Sequence, residues 1–564
     1  MSHENFHMTW LCWLKCIVEQ MKAKKQDLFG CFVDLKKAYD TVWRNGLLYK
    51  LLCTNNISPK FVRIIRNMYK GLKGRIKTLK WLGDEFSIGI GLRQGCNMSP
   101  VLFNLYINDL PDLLKKGNCD PIKLKDKNIN ILMYADDMLI LSRSKKGLQR
   151  ALAILEAYCD KWQLVVNTSK TKIMIFNKRK WDNIKFTYQG IELEIVTHYN
   201  YLGICICNSG SFTSAVKQLN DKASNAMFAI NSYLRTLNFR PKLLIKLFDT
   251  LVKPILLYAS EVWAAFGIKS KHVESILKYY IENDKFPWEK LNIKMCKRAL
   301  RLNKYVTTLG CKTELGRPPL AVDVVVSILK YYIRLRCSHE NDLIYHAFNS
   351  QLEMRHNSLN TCTYPQASNA LAEQLGPDAL SFVNNIHAVS GDQLKKKIKV
   401  IGPKLTKLAI KYNKNVILSK LNDVRWSPES KLFLYSKLKH DFEYENYLDT
   451  ENPFRTEVTK FRLSAHALPV EKGRYARPII ERNSRLCNLC KNGIGDEEHV
   501  LFLCDNIKLK SLREYYMQKI CQVHPGWSGL PIFNLILKNL EMKNEEIYEI
   551  VISWISRSHK EAKG

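Results

Sequence analysis

Two adjacent carboxylates, Asp136 and Asp137, lie between apolar runs: Ile131-Leu132-Met133 before Tyr134-Ala135, and Met138-Leu139-Ile140-Leu141 after. The pattern predicts a tight β-hairpin with the acidic pair at its tip. Like charges this close repel, and burial beside apolar strands deepens the penalty. A bound divalent metal removes that penalty. The chemistry this would serve is phosphoryl transfer on nucleotides, provided a third carboxylate stands upstream.

Asp34 is that carboxylate. Phe29-Gly30-Cys31-Phe32-Val33 reads as a buried strand ending in Asp34, and Leu35 to Trp43 continue into a turn and helix. An Asp at the end of an apolar strand is exposed at a sheet edge, where α/β-type sites are built. It also serves as a helix N-cap, and Asp34 alone does not separate the two readings. The acidic pair downstream favours the metal. Between them lies Gly89-Ile90-Gly91-Leu92-Arg93-Gln94-Gly95-Cys96-Asn97-Met98-Ser99-Pro100. Its glycines permit close backbone approach to a ligand, or simply a turn. Ser99-Pro100 predicts a helix start, Ser at N-cap and Pro at N1, continuing through Val101–Ile107. After the hairpin, Leu148, Leu152, Leu155, Cys159 and Trp162 form one apolar helical stripe.

These segments, in this order, resemble the palm of a reverse transcriptase, and more narrowly the enzymes of non-LTR (LINE-type) retrotransposons. The resemblance rests on Phe32-Val33-Asp34 with Lys37-Ala38-Tyr39-Asp40, on Arg93 to Cys96 with Ser99-Pro100, and on Tyr134 to Asp137. Further likenesses are Val166–Lys172, the primer-grip-like turn Tyr201-Leu202-Gly203, and the segments Pro254–Trp263 and Glu314–Leu320, which look like helical segments of these elements. The likeness thins between about residues 325 and 450.

The resemblance implies RNA-directed DNA synthesis. A primer 3′-hydroxyl attacks the α-phosphate of a dNTP, and two metal ions roughly 4 Å apart serve the attacking and leaving oxygens. Asp34 and Asp136 would hold both ions, with Asp137 completing the charge. Carboxylates without Cys or His fit Mg²⁺ or Mn²⁺ rather than zinc. Tyr39 would sit beneath the sugar and exclude a 2′-hydroxyl, or else be a core aromatic. Gln94 and Gly95 would contact nucleotide and template. Lys170 or Lys172 would protonate the leaving pyrophosphate, unless these are plain surface lysines.

Composition agrees. The 564 residues exceed one ordinary domain, and 46% are hydrophobic, enough for real cores. A formal net charge of +34 implies a polyanionic partner, most simply nucleic acid; a basic membrane-surface protein is the weaker alternative. No apolar run approaches the roughly 18–20 residues that span a bilayer, and Trp10–Val18 is short and broken by Lys15, so neither a membrane span nor a signal peptide is expected. The 17 cysteines form no regular framework, as suits reduced thiols inside the cell, in nucleus and cytoplasm.

Two further features point to nucleic acid. Lys395, Lys396, Lys397, Lys399, Lys404, Lys407, Lys411, Lys414 and Lys420 lie in a span without an acidic residue. Interleaved Leu405, Leu408 and Ile410 predict a basic amphipathic helix after Gly402-Pro403. Such a face is often merely solvated, but this one lacks counter-charges and suits phosphate, with a nuclear-targeting signal as the weaker option. Cys487-x2-Cys490-x8-His499-x4-Cys504 has zinc-ligand spacing, with His499 and Cys504 expected on one short helix and basic Arg482, Arg485, Lys491, Lys508 and Lys510 around it. LINE-type proteins often carry a similar knuckle, which would grip RNA or target DNA.

The expected architecture is α+β. It comprises a right-hand polymerase palm with antiparallel sheet and partial fingers over residues 1–205, and a mainly helical thumb and connection over 206–330. A helical basic region over 331–480, a CCHC zinc knuckle over 481–510 and a helical tail over 511–564 follow. Only 33 residues precede Asp34, so the resemblance implies that most of the fingers and any endonuclease domain are absent. The alternative function is a truncated, inactive remnant that binds RNA or DNA through its basic segment and knuckle.

Overall fold

The strand Phe29–Val33 is buried along its whole length and occupies an inner position of a four-stranded antiparallel sheet. The strand order is Ile131–Tyr134, Asp137–Ser142, Phe29–Val33, Lys172–Ile175. This is a computed structural model, and it describes residues 6–54, 57–124, 127–176, 184–233, 239–338, 342–353, 362–385, 391–425, 427–449, 455–523 and 545–563. Alternation splits the strand between two cores. Phe29, Cys31 and Val33 face the helices Arg44–Cys53, Ser99–Ile107 and Lys145–Trp162, while Phe32 joins the larger core that includes Phe6–Ala23. Cover on both faces explains why the strand reads as one apolar run. The stripe Leu148, Leu152, Leu155, Cys159, Trp162 is buried as expected.

The apolar stretch Trp10–Val18 belongs to the helix Phe6–Ala23, whose Leu11, Trp13, Leu14 and Ile17 are core residues. Lys15 keeps its charge paired with Glu19 and donates to the Gly210 carbonyl. Among the described residues, no helix is long and apolar enough to cross a membrane.

Beyond the sheet the described chain is mainly helical. The helix Ala321–Arg336 is buried nearly all round and packs against Ser260–Trp263 and Gly391–Val424. The expected division near residue 330 falls inside this helix, so the regions on either side share a core.

Several local expectations are corrected. The long basic helix does not start after Gly402-Pro403; it runs unbroken over Gly391–Val424 with Pro403 inside. Ile398, Leu405, Ala409, Ile417 and Leu421 are buried, and that packing outweighs the backbone bond that Pro403 cannot make. Ser99 is the first residue of its helix rather than the cap. Met98 holds the cap position, because the buried Ser99 hydroxyl donates back to the Arg93 carbonyl at 2.6 Å. Glu314–Leu320 is not a helical segment throughout. The helix Thr308–Glu314 stops there and Gly316 turns the chain at φ 54. Pro254–Trp263 forms parts of two short helices, Lys253–Leu256 and Ser260–Trp263. The tail contains the helices Ile507–Val523 and Glu545–Lys563, packed together, and residues 524–544 of it lie outside the described residues.

Candidate active site

Strand register brings the three carboxylates to one end of the sheet. Tyr134 pairs with Asp137, leaving Ala135 and Asp136 as a two-residue turn, and Ala135 takes φ 51. A non-glycine residue there is uncommon and marks a turn held by its surroundings. Val33 pairs with Met138, so Asp34, one residue on, emerges beside Asp137. The helix after Asp34 begins only at Arg44 with Trp43 at its cap position, which excludes Asp34 as an N-cap.

The backbone of Asp34 is held from the far side. Its N–H donates to the Thr171 hydroxyl at 3.2 Å, and its carbonyl accepts from the Asn167 N–H at 2.7 Å. The Lys36 N–H adds a bond to the Val165 carbonyl. Val166–Lys172 is thus a brace for the first carboxylate.

Electrostatics agree with a cation site. Loss of solvent against the sheet, then the charges of Asp136 and Asp34, push Asp137 up to about 6. Tyr199 stacks on Phe32 with ring centroids 4.3 Å apart. Burial, then Asp137 and Asp34, push its hydroxyl up to about 12. Tyr39 is half-buried, stacked on Phe103 at 4.8 Å, and held above its ordinary value by burial and then by Asp136. Its hydroxyl therefore lies within the field of the acidic turn.

The glycine-rich loop is tied to the same corner. Gly91 N–H donates to Val42, Leu92 N–H donates to Tyr39, and Gln94 Nε2 donates to Asp40 Oδ1 at 2.8 Å. A Cβ on Gly91, at φ 82, would meet the Asp40 carbonyl at 2.5 Å, so only glycine fits. Gly95, at φ 81, faces open space. Arg44 fixes the loop from behind, donating to the carbonyls of Ile88, Ile90 and Gly91 while lying over the Tyr69 ring. Lys170 is exposed, whereas Lys172 is ion-paired with Glu194 at 2.6 Å. The primer-grip-like turn is a hairpin between His198–Tyr201 and Ile204–Cys207, and the Tyr258 hydroxyl donates to the Leu202 carbonyl.

Near the C-terminus, the ligand atoms of Cys487, Cys490, His499 and Cys504 lie within 4.8 Å of one another. Cys487 and Cys504 sulfurs are 3.9 Å apart, and Cys490 Sγ is 3.1 Å from His499 Nε2. A tetrahedron with bonds of about 2.3 Å has edges near 3.8 Å, so the quartet is close to a closed metal shell. Burial holds the His499 imidazole below its ordinary value, favouring the neutral form that binds metals. Cys504 is not on the helix with His499. It follows the π-turn His499–Leu503, and its N–H closes that turn on the His499 carbonyl at 2.8 Å. Arg482 and Arg485 are committed internally, Arg482 to Asp496 and Arg485 to the carbonyls of Ile480 and Val470. Lys491, Lys508 and Lys510 remain exposed.

On Gly391–Val424, Lys395, Lys396, Lys397, Lys399, Lys404, Lys407 and Lys411 are all exposed. Counter-charges absent from the span come from outside it: Asp392 pairs with Lys395, and Glu282 pairs with Lys420.

Sequence reasoning missed Thr171, Arg44 and Tyr199 as parts of the site. Thr171 lay inside a segment already singled out, but only the fold shows what its hydroxyl holds.

Residues 2–206 match the family described as reverse transcriptase (RNA-dependent DNA polymerase). This part of the chain is a reverse-transcriptase domain. The relatives it resembles are proteins of mobile elements. The chain is 26% identical over 331 residues to an RNA-directed DNA polymerase from mobile element jockey of Drosophila funebris, covering 57% of this chain and 33% of that protein. It is 25% identical over 252 residues to a probable RNA-directed DNA polymerase from transposon BS of Drosophila melanogaster, covering 43% and 26%. The chain thus matches a third or less of the length of these relatives. A telomerase structure from Candida albicans, in complex with a fragment of telomeric RNA, aligns over 57% of this chain and 50% of that one, at 14% identity and TM-score 0.24.

Proposed function

We propose that this chain is an RNA-directed DNA polymerase of a non-LTR retrotransposon, adding deoxynucleotides to a primer 3′-hydroxyl opposite an RNA template. The observation that carries this reading is the meeting of Asp34, Asp136 and Asp137 at one sheet end, beside the Arg93–Pro100 loop. Oxygen-only donors suit a hard divalent ion, Mg²⁺ or Mn²⁺. When bound, such ions supply Lewis acidity to the attacking and departing oxygens. Asp34 and Asp136 would hold them, and Asp137 would balance their charge.

The chain's own residues do the rest. Tyr39, backed by Phe103, walls the sugar side of the nucleotide and excludes a 2′-hydroxyl. Gly95 leaves room for nucleotide and template at the loop surface, and Gln94, anchored on Asp40, fixes the loop's path. Lys170, exposed beside the Asp34 brace, protonates the departing pyrophosphate oxygen. Lys172 is occupied by Glu194 and is the poorer donor. The exposed lysines of Gly391–Val424 hold phosphate. The Cys487–Cys504 quartet holds zinc as a structural element, shaping a surface for RNA or target DNA. The proposed units are the palm, a helical region whose thumb-like and basic parts share the helix Ala321–Arg336, the knuckle and the tail.

The test is extension of a DNA primer on an RNA template with Mg²⁺ and dNTPs. Extension by the wild type and none by Asp136→Ala supports the proposal. Salt-dependent binding without extension by the wild type would leave only a nucleic-acid-binding protein.

A further inference from the structure

The helix Pro287–Ala299 carries a second charged face that neither the palm nor the basic segment accounts for. Lys290, Lys294, Lys297 and Arg298 fall at i, i+4, i+7 and i+8, one side of a helix. Arg301 and Lys304 continue the row past its end. Together they line a groove of about 720 Å³, floored by Phe239, Leu244, Ile293 and Leu302, with no carboxylate among its described lining residues.

Like charges at i, i+4 destabilise a helix, so an ordinary surface would intersperse acids. Here the nearby acids are engaged elsewhere. Glu289, in the same helix, is 2% exposed and takes bonds from Asn292, Lys312 and the Leu320 N–H. Asp284 pairs with Lys312, Asp249 with Arg317 and Glu282 with Lys420. The helix C-terminus favours Lys297 and Arg298 but not Lys294, one turn earlier, or Lys290, two turns earlier. Among the described residues, two of the groove's cations bond to carbonyls: Lys297 to that of Lys304, Arg298 to that of Asn231. At its end stands Tyr305, 69% exposed, with Lys304 over its ring at 5.1 Å and its N–H fixed by Asn303. A row of cations ending in an exposed aromatic ring suits phosphates in series and one stacked base.

We propose that this groove is a track for one strand of nucleic acid, with Lys290, Lys294, Arg301 and Lys304 on successive phosphates and a base on Tyr305. The proposal stands apart from polymerase activity, because it needs neither the carboxylates nor metal.

The experiment is fluorescence anisotropy of the full chain with labelled oligo(U), oligo(dT) and duplex DNA, without Mg²⁺ or nucleotide, across a salt series. Combined Lys290→Ala, Lys294→Ala, Arg301→Ala and Lys304→Ala lowers the slope of log affinity against log salt by about 3 for both single strands. The milder pair Lys290→Gln and Lys294→Gln lowers it by roughly half as much, and serves if the fourfold variant does not fold. Tyr305→Ala weakens single-strand binding about tenfold without changing the slope, and Tyr305→Phe restores it. Unchanged slopes in a folded charge variant would overturn the track. So would an equal loss on duplex, or a loss confined to oligo(U) or to oligo(dT).

Discussion

The hydroxyl of Thr171 accepts the backbone N–H of Asp34 at 3.2 Å, across 137 residues of sequence. A side chain at the start of one edge strand thereby sets the position of the first proposed metal-binding carboxylate. The Asn167 N–H on the Asp34 carbonyl completes the grip.

Thr171→Val keeps the shape and removes the acceptor. Leaving a partly buried N–H unpaired costs about 1–3 kcal/mol. The urea midpoint of the whole chain should fall, and primer extension should slow while the protein is still folded. Thr171→Ser should behave as wild type on both readouts. A valine variant with unchanged extension would remove Thr171 from the site.

Tyr39→Val opens the wall beside the sugar. Steady-state incorporation should then shift toward ribonucleotides, at least tenfold in the rNTP/dNTP ratio of kcat/KM, a change of about 1.4 kcal/mol. The ring's stack on Phe103 makes it rigid enough to discriminate. An unchanged ratio would leave Tyr39 as a packing residue only.

Asp137 gives a pH dependence of defined sign. Its folded value, about 6, lies above the unfolded 3.8, so the folded chain binds this proton more tightly. Stability from this group is present at low pH and is lost as pH rises from about 4 through 6. In Mg²⁺-free buffer, wild type should lose stability over that range relative to Asp137→Asn. Added Mg²⁺ should restore wild-type stability above pH 6 and do less for the variant. Parallel melting curves for the two proteins would contradict the crowding of charge at the turn.

The sequence made the sheet legible because Phe29–Val33 is covered on both faces and so reads as an unbroken apolar run. The acidic turn was legible because two strands of matching apolarity flank it. The brace was not, since its bond joins Thr171 to Asp34 through the fold alone. Pro403 misled for a local reason: proline usually starts a helix, but here Leu405, Ala409 and Leu421 are buried firmly enough to carry the helix through it. Cys504 stepped off its expected helix because five residues, not four, close the π-turn after His499. The groove under Lys290 escaped notice because only the fold shows that Glu289, the helix's one acid, faces the core and leaves its four cations together.

The cysteine–histidine quartet should hold one zinc per chain by elemental analysis. Cys490→Ser should lose that zinc and lower the melting temperature of the C-terminal part, leaving the palm's Mg²⁺ response intact. Burial, then the neighbouring Cys490 and Cys487, push Cys504 up to about 12, which a bound cation would reverse. Full zinc content in the variant would exclude Cys490 as a ligand.

The most direct measurement is single-turnover addition of one dNTP to an RNA-templated DNA primer, with wild type, Asp34→Ala and Asp136→Ala at equal folded concentrations. Wild type should show Mg²⁺-dependent addition, and each variant should lose about a thousandfold or more, about 4 kcal/mol of transition-state stabilisation. Addition by the wild type that persists in both variants would contradict this.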